Sequence, residues 1–126
     1  MKLILADSTA NHLVRGYSST EVRVGERSFQ GALLVGPRLL ATDVEPRSPA
    51  QITESDVQRI ADCAPELAII GWAGGQTFLS ALQRRWFAER KLPVEVMELG
   101  AACRTYNVLV SDGRQPVAML FPGRNT

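Results

Sequence analysis

The stretch Leu92-Pro-Val-Glu-Val-Met-Glu-Leu-Gly-Ala-Ala-Cys-Arg-Thr-Tyr-Asn-Val-Leu-Val-Ser-Asp-Gly-Arg114, continued by Val117-Ala-Met-Leu-Phe-Pro122, decides the fold. Val94 to Leu99 alternates and carries β-branched residues, which is the pattern of a strand. Ala101 to Asp112 instead places Ala102, Cys103, Tyr106, Leu109 and Val110 at helical spacing, so one strand feeds one helix directly. Asp112-Gly113 closes that helix, because glycine adopts the left-handed conformation of a last turn. A fully apolar strand, Val117 to Phe121, follows.

Working backwards, Leu67-Ala-Ile-Ile70 is a continuous apolar run of strand length, as expected of a strand covered on both faces. Gly71-Trp-Ala-Gly-Gly75 turns the chain, and Phe78, Leu79, Leu82 and Trp86 then recur at helical spacing up to Lys91. Strand, glycine turn, helix and strand make a βαβ unit. Glu95 and Glu98 point to opposite faces of their strand, which places it at a sheet edge where charge also discourages unwanted pairing. Further upstream, Thr53 and Asp56 form a capping box, Ile52 and Val57 a hydrophobic staple, and Val57, Ile60, Ala61 and Ala64 one apolar face that ends at Pro65. Gly31 to Val35 and Leu39 to Thr42 are core strands joined by the turn Gly36-Pro37-Arg38. His12 to Tyr17, Glu21 to Val24 and Arg27 to Phe29 read as a meander of exposed strands. The expected architecture is an α/β, three-layer domain with a central mixed sheet flanked by helices, plus this N-terminal hairpin or meander, all in one domain over residues 1–126.

The totals agree with an ordinary folded protein. The chain has 126 residues, 45% of them hydrophobic and 21% charged, and a net charge of +1. That balance argues against a disordered chain and against a nucleic-acid binder, which carries a marked basic excess. Asp7 interrupts the short apolar run from Met1 to Ala6, so neither a secretory signal nor a membrane span is expected, and the location expected is cytoplasmic. His12 is the single histidine, and Cys63 and Cys103 are the two cysteines. No metal-ligand spacing connects them, so no metal and no cofactor is expected, and both cysteines read as buried or half-buried free thiols.

Ala-Cys-Arg-Thr-Tyr-Asn-Val-Leu (102–109), Gly113-Arg114 and a short apolar strand ending in Pro122 resemble the signature of a small family of largely unassigned function. That family includes the mitochondrial respiratory complex I assembly factor three, and a compact chain like this one looks like its short bacterial-type members. The resemblance runs from about Tyr17 onward. It implies that the last strand is inserted centrally, antiparallel to its neighbours. It also implies an accessory or assembly role, with no transferable catalytic residue. Relatives commonly carry Asp-Thr where this chain has Leu99-Gly100, a departure at the start of the helix.

The most site-like segment is Gly71-Trp-Ala-Gly-Gly-Gln-Thr77, since a glycine-rich turn into a helix leaves backbone N–H groups for an anion. The same glycines also suit a sharp turn and close helix–strand packing. Cys103 near a helix start, next to Arg104, has the setting of a lowered thiol pKa, but it lies on the apolar face and lacks a histidine base, so packing is its expected role. Arg84, Arg85, Arg90 and Lys91 make a basic helix tail of the kind a helix dipole favours. Asn107 is a poor helix former, and an amide bond to a neighbouring loop would justify it. The candidate binding residues are therefore Gly71, Trp72, Gly74, Gly75, Gln76, Arg104 and Asn107, expected to line a cleft at the carboxyl ends of the parallel strands, with Trp72 as an apolar wall. The leading expectation is a non-enzymatic accessory protein that binds a protein partner. The alternative is a binder of a small anion or carboxylate, or an enzyme, using the same cleft.

Overall fold

Alternation within the strands sorts the apolar residues into two cores, one on each face of a single sheet. The computed structural model describes residues 2–5, as backbone, together with 11–42 and 44–123; the readings resting on Met1, Ala6 and Asp7 lie outside the described residues. In chain order the strands are β1 (Lys2–Leu5), β2 (Val14–Tyr17), β3 (Val22–Val24), β4 (Arg27–Phe29), β5 (Leu33–Gly36), β6 (Leu39–Thr42), β7 (Leu67–Trp72), β8 (Val94–Glu98) and β9 (Pro116–Phe121). The helices are α1 (Glu54–Asp62), α2 (Ala81–Glu89) and α3 (Leu99–Ser111), with a 3-10 turn at Pro49–Gln51. Among the described residues the main sheet runs β1-β6-β5-β9-β7-β8 and a second sheet runs β2-β3-β4. The fold is thus α/β, with a mixed central sheet, flanking helices and a small antiparallel sheet near the N-terminus.

On one face, Leu33, Val35, Ile69, Ala118 and Leu120 meet Ala102, Cys103, Tyr106 and Val110 of α3 and Val14, Val22 and Val24 of the small sheet. On the other, Leu34, Ala68, Ile70, Val117, Met119 and Phe121 meet Val57 and Ile60 of α1 and Phe87 of α2. Along β5, β7 and β9 successive residues serve opposite cores, the period-two signature of a sheet buried on both sides. The small sheet is therefore not the exposed meander expected: Val22 and Val24 are buried, and their face is the roof of α3.

β9 lies in the centre as the resemblance implied, but its orientation differs. It is antiparallel to β5 and parallel to β7, so it joins an antiparallel half of the sheet to a parallel half. β7 and β8 are parallel, which makes β7-α2-β8 the expected βαβ unit, and β8 with its glutamates stands at the edge. β1 was not anticipated; a four-residue run without flanking turn signals carries too little periodicity to be read as a strand.

Helix boundaries follow their caps. The α1 capping box is present, with the Thr53 hydroxyl accepting from Asp56 N–H at 3.2 Å and the Asp56 carboxylate accepting from Thr53 N–H at 2.8 Å. α1 stops at Asp62 rather than at Pro65, because Ala64 takes a left-handed conformation (φ 51°). α2 starts at Ala81, not near Phe78, because a second box, Ser80 with Gln83, sets its origin. The buried stripe is accordingly Leu79, Gln83 and Phe87, and Leu82 is 47% exposed. Gln83 is buried because its amide also donates to Pro49 O at 2.9 Å and Ile52 O at 3.0 Å, satisfying carbonyls of the segment before α1. α3 starts at Leu99, two residues earlier than expected, with Glu98 as its cap. Gly113 (φ 80°) closes α3 as anticipated, with Arg114 N–H reaching Leu109 O at 2.8 Å.

Candidate functional site

In the register of β7 with β8, Trp72 stands opposite Glu98, so the segments leaving these strands emerge at the same end of the sheet. Two recesses open there. The larger is a groove of about 620 Å³ bounded by the 75–79 loop, Arg84 of α2, and Val94, Val96, Met97 and Glu98 of β8. The smaller, about 230 Å³, lies between Tyr17–Ser19, Ala73 and Glu98–Gly100. Glu98 borders both.

The glycine segment divides between them and the core. Gly71 is not part of a turn but of β7, where a Cβ would come within 2.6 Å of the Ala102 Cβ, so its absence lets α3 sit close on the sheet. Trp72 ends the strand, half-buried, with its ring edge-on to Phe121 at 6.3 Å. Gly74 lies flat on the same indole: a Cβ there would fall 2.0 Å from Trp72 Cζ2. Gly75 holds φ +109°, a left-handed value that L side chains rarely adopt. Eight residues, 73–80, separate β7 from α2, so the loop does not open a helix and does not present a helix N-terminus to an anion. Of the predicted residues, Gly75 and Gln76 line the larger groove; Gly71, Trp72 and Gly74 serve the packing of the strand end.

Arg104 and Asn107 do not converge on that groove. The Asn107 amide donates to Val14 O at 2.7 Å and accepts from Val14 N–H at 2.9 Å, reproducing with one side chain the bond pair of a strand neighbour. β2 is an edge strand of the small sheet and its bond to β3 runs through Leu13 O and Gly25 N–H, so the Val14 N–H and C=O turn away from β3 and are met by this amide. The adjacent Tyr106 hydroxyl donates to His12 O at 2.8 Å, and one turn earlier Arg104 Nη1 donates to the Tyr17 hydroxyl. Arg104, Tyr106 and Asn107 thus fasten the small sheet to α3. The poor helix former is explained by an amide bond, as the sequence suggested, and its partner is a strand.

The start of α3 is also taken. The Glu98 carboxylate accepts from Gly100 N–H and, at 3.4 Å, from Ala101 N–H, so the chain's own carboxylate occupies the place an anion would fill. Gly100 is needed beside it, since a Cβ would lie 2.8 Å from the Tyr17 ring and hydroxyl. Sequence reasoning treated Glu98 as edge-strand charge; a carboxylate directly ahead of a helical run was the signal for a cap. Phe78, expected on the apolar stripe of the second helix, lies ahead of α2 and is 71% exposed on the groove's rim.

The cysteines behave oppositely to one another. Cys103 is buried, and burial together with the nearby Glu98 charge pushes its thiol up to about 12 despite the opposing pull of Arg104, the reverse of nucleophile activation. Cys63 is exposed, contrary to expectation, because α1 ends on it and turns it outward. Of the basic tail, Arg90 is structural: it pairs with Glu54 at 3.0 Å and bonds Gln58 and Trp86 O, tying α2 to α1. Among the described residues, no three His, Cys, Asp or Glu side chains come together as a metal site, and no helix is long and apolar enough to cross a membrane.

Residues 14–121 match the family model described as protein of unknown function DUF498/DUF598, and the chain belongs to that family. Among solved structures it is similar to a Bordetella parapertussis protein, at 33% identity and TM-score 0.80 over 92% of this chain and 99% of that one. A Bordetella pertussis protein described as a Mth938-like domain matches at 28% identity and TM-score 0.77, over 100% and 95% of the two chains. A Xanthomonas campestris protein matches at 25% identity and TM-score 0.80, over 89% and 85%. No curated protein matches the chain.

Proposed function

We propose, from membership of the DUF498/DUF598 family as the premise, that this protein is a cytoplasmic, non-enzymatic accessory protein that holds a protein partner in the groove beside β8. The observation that carries this reading is the groove itself: about 620 Å³, walled by Val94, Val96, Met97 and Leu79, with Phe78 71% exposed at its rim. An aromatic side chain left in water beside an apolar recess is the composition of an interface anchor. The buried high-pKa thiol of Cys103 and the hydrogen-bonded Arg104 and Asn107 are engaged in the fold, which turns attention from chemistry to binding. The role fits the assembly-type expectation drawn from the resemblance.

The test is capture of partners from the native cell by tagged protein, identified by mass spectrometry. Phe78→Asp is expected to lose the partner while Val108→Asp, on the 59% exposed Val108 of α3, retains it. Capture unchanged by Phe78→Asp but lost with Val108→Asp would place the partner on the helix face and refute the groove.

One feature favours a second reading. Arg84 faces the groove beside Gln76 and Thr77, a polar set suited to a small carboxylate. Calorimetric titration with simple mono- and dicarboxylates separates the two, because a ligand site binds them through Arg84 with no partner protein present.

A further inference from the structure

The outer wall of the groove is a strand with one side unused. Ala68 N–H donates to Pro93 O at 2.9 Å, and Ala68 stands opposite Val94 in the parallel register. In a parallel ladder alternate residues give both N–H and C=O to a given neighbour, and the residues between them turn theirs the other way. Glu95 and Met97 therefore face β7, whereas Val94 and Val96 direct N–H and C=O outward. Among the described residues nothing pairs with that edge of β8. The side chains of the same two valines line the groove, opposite Phe78 and Leu79. An unpaired edge beside an apolar slot is the geometry of strand addition, in which main-chain bonds hold an extended segment and alternate side chains enter pockets.

Charge narrows the occupant. The groove is bordered by Arg84 and Glu98. Glu98 is spoken for by the N–H groups that open α3. Arg84 is fixed from behind, its Nε donating to Leu79 O at 3.4 Å, and makes no ion pair among the described residues. The charge that the groove offers a visitor is positive.

Resting on the partner-binding reading above, we infer that the groove receives an extended peptide segment that adds a strand to the outer edge of β8, seats an apolar side chain between Val96 and Phe78, and brings a carboxylate to Arg84. The carboxylate comes from an Asp or Glu side chain or from a chain terminus.

Selection of a displayed random linear peptide library on the full chain tests this, followed by amide exchange on the complex with the enriched peptides. Enriched sequences are expected to alternate apolar residues and carry a carboxylate. They should slow exchange at Val94 and Val96 at least tenfold and lose tenfold or more in affinity with Arg84→Glu. Val96→Pro removes one outward N–H and leaves the bonds of Glu95 and Met97 to β7, a place where an edge strand tolerates proline. It is expected to abolish binding, while Val96→Thr, which keeps the N–H, binds. Should Val96→Pro fail to fold, the exchange measurement on the unmodified protein decides alone. No enrichment over the Arg84→Glu protein, or enriched peptides that leave Val94 and Val96 exchange unchanged, overturns strand addition. If native-cell capture depends on Phe78 but survives a folded Val96→Pro, the partner reading stands and the strand falls; if it depends on neither, both fall.

Discussion

Asn107 offers two bonds to one residue, and the Val14 end of that exchange is buried while the amide is half-buried. Asn107→Ala leaves Val14 N–H and O without partners, at a cost of about 1–3 kcal/mol. Urea denaturation measures it, and exchange should speed most in β2. Cys103 is a packing residue, so a mild alkylating reagent at neutral pH should label Cys63 first and reach Cys103 only on unfolding, read by mass spectrometry. Cys103→Ala should cost on the order of 1 kcal/mol and leave partner binding intact. His12 adds a pH dependence. Its Nε2 is buried without a hydrogen-bond partner among the described residues, and burial lowers its pKa below the ordinary 6.5. The unfolded chain then takes up the proton first, so stability is complete above pH 6.5 and falls as the pH drops from there toward the folded-state value. Denaturation midpoints at pH 7.5 and 5.5 should differ for the native protein and converge in His12→Gln. Glu66 acts in a lower window: bonds from Gln115 N–H and Arg114 hold its carboxyl below 4.5, so its contribution disappears only as pH falls below that value.

Elements are set by their ends as much as by their faces. α2 closes at Lys91, a non-glycine residue at φ 53°, with Leu92 N–H bonded back to Phe87 O at 3.0 Å. A left-handed residue with a Cβ costs about 1–2 kcal/mol, of which the greater flexibility of unfolded glycine returns part, so Lys91→Gly should stabilise by about 0.5–1 kcal/mol in urea titrations. Gly71 is the reverse case, since Gly71→Ala drives a methyl against the Ala102 Cβ and should cost about 1–3 kcal/mol. Ala102→Gly in the same chain should recover part of that loss, a coupling that a double-mutant cycle measures directly. α1 was legible because its cap, staple and stripe agree. The start of α2 was not, because Phe78 and Leu82 imitate a helical stripe while Ser80 and Gln83, which carry the cap, look like ordinary polar residues. Glu98 was misread for a related reason: whether a glutamate at a strand end is edge charge or helix cap depends on whether the next residue turns.

At the scale of the whole molecule, composition and period sufficed for a sheet covered on both faces, and glutamates sufficed to put β8 at its edge. They could not reveal that Arg104 and Asn107 turn to β2, some ninety positions upstream, since a polar residue on a helix has the same spacing whether it meets a ligand or a strand. Nor could they orient β9, which has one antiparallel and one parallel neighbour. That placement reaches beyond stability into the timing of synthesis. The hairpin of β5 and β6 leaves the ribosome early, yet the strand that must pair with β5 begins only at Pro116. At about 5–20 residues per second, the growing chain carries an open, apolar strand edge for several seconds before β9 arrives to close it. During that interval two unfinished half-sheets lie on one nascent chain, and a chaperone that shields the β5 edge should raise the yield of soluble protein more than one that acts after release.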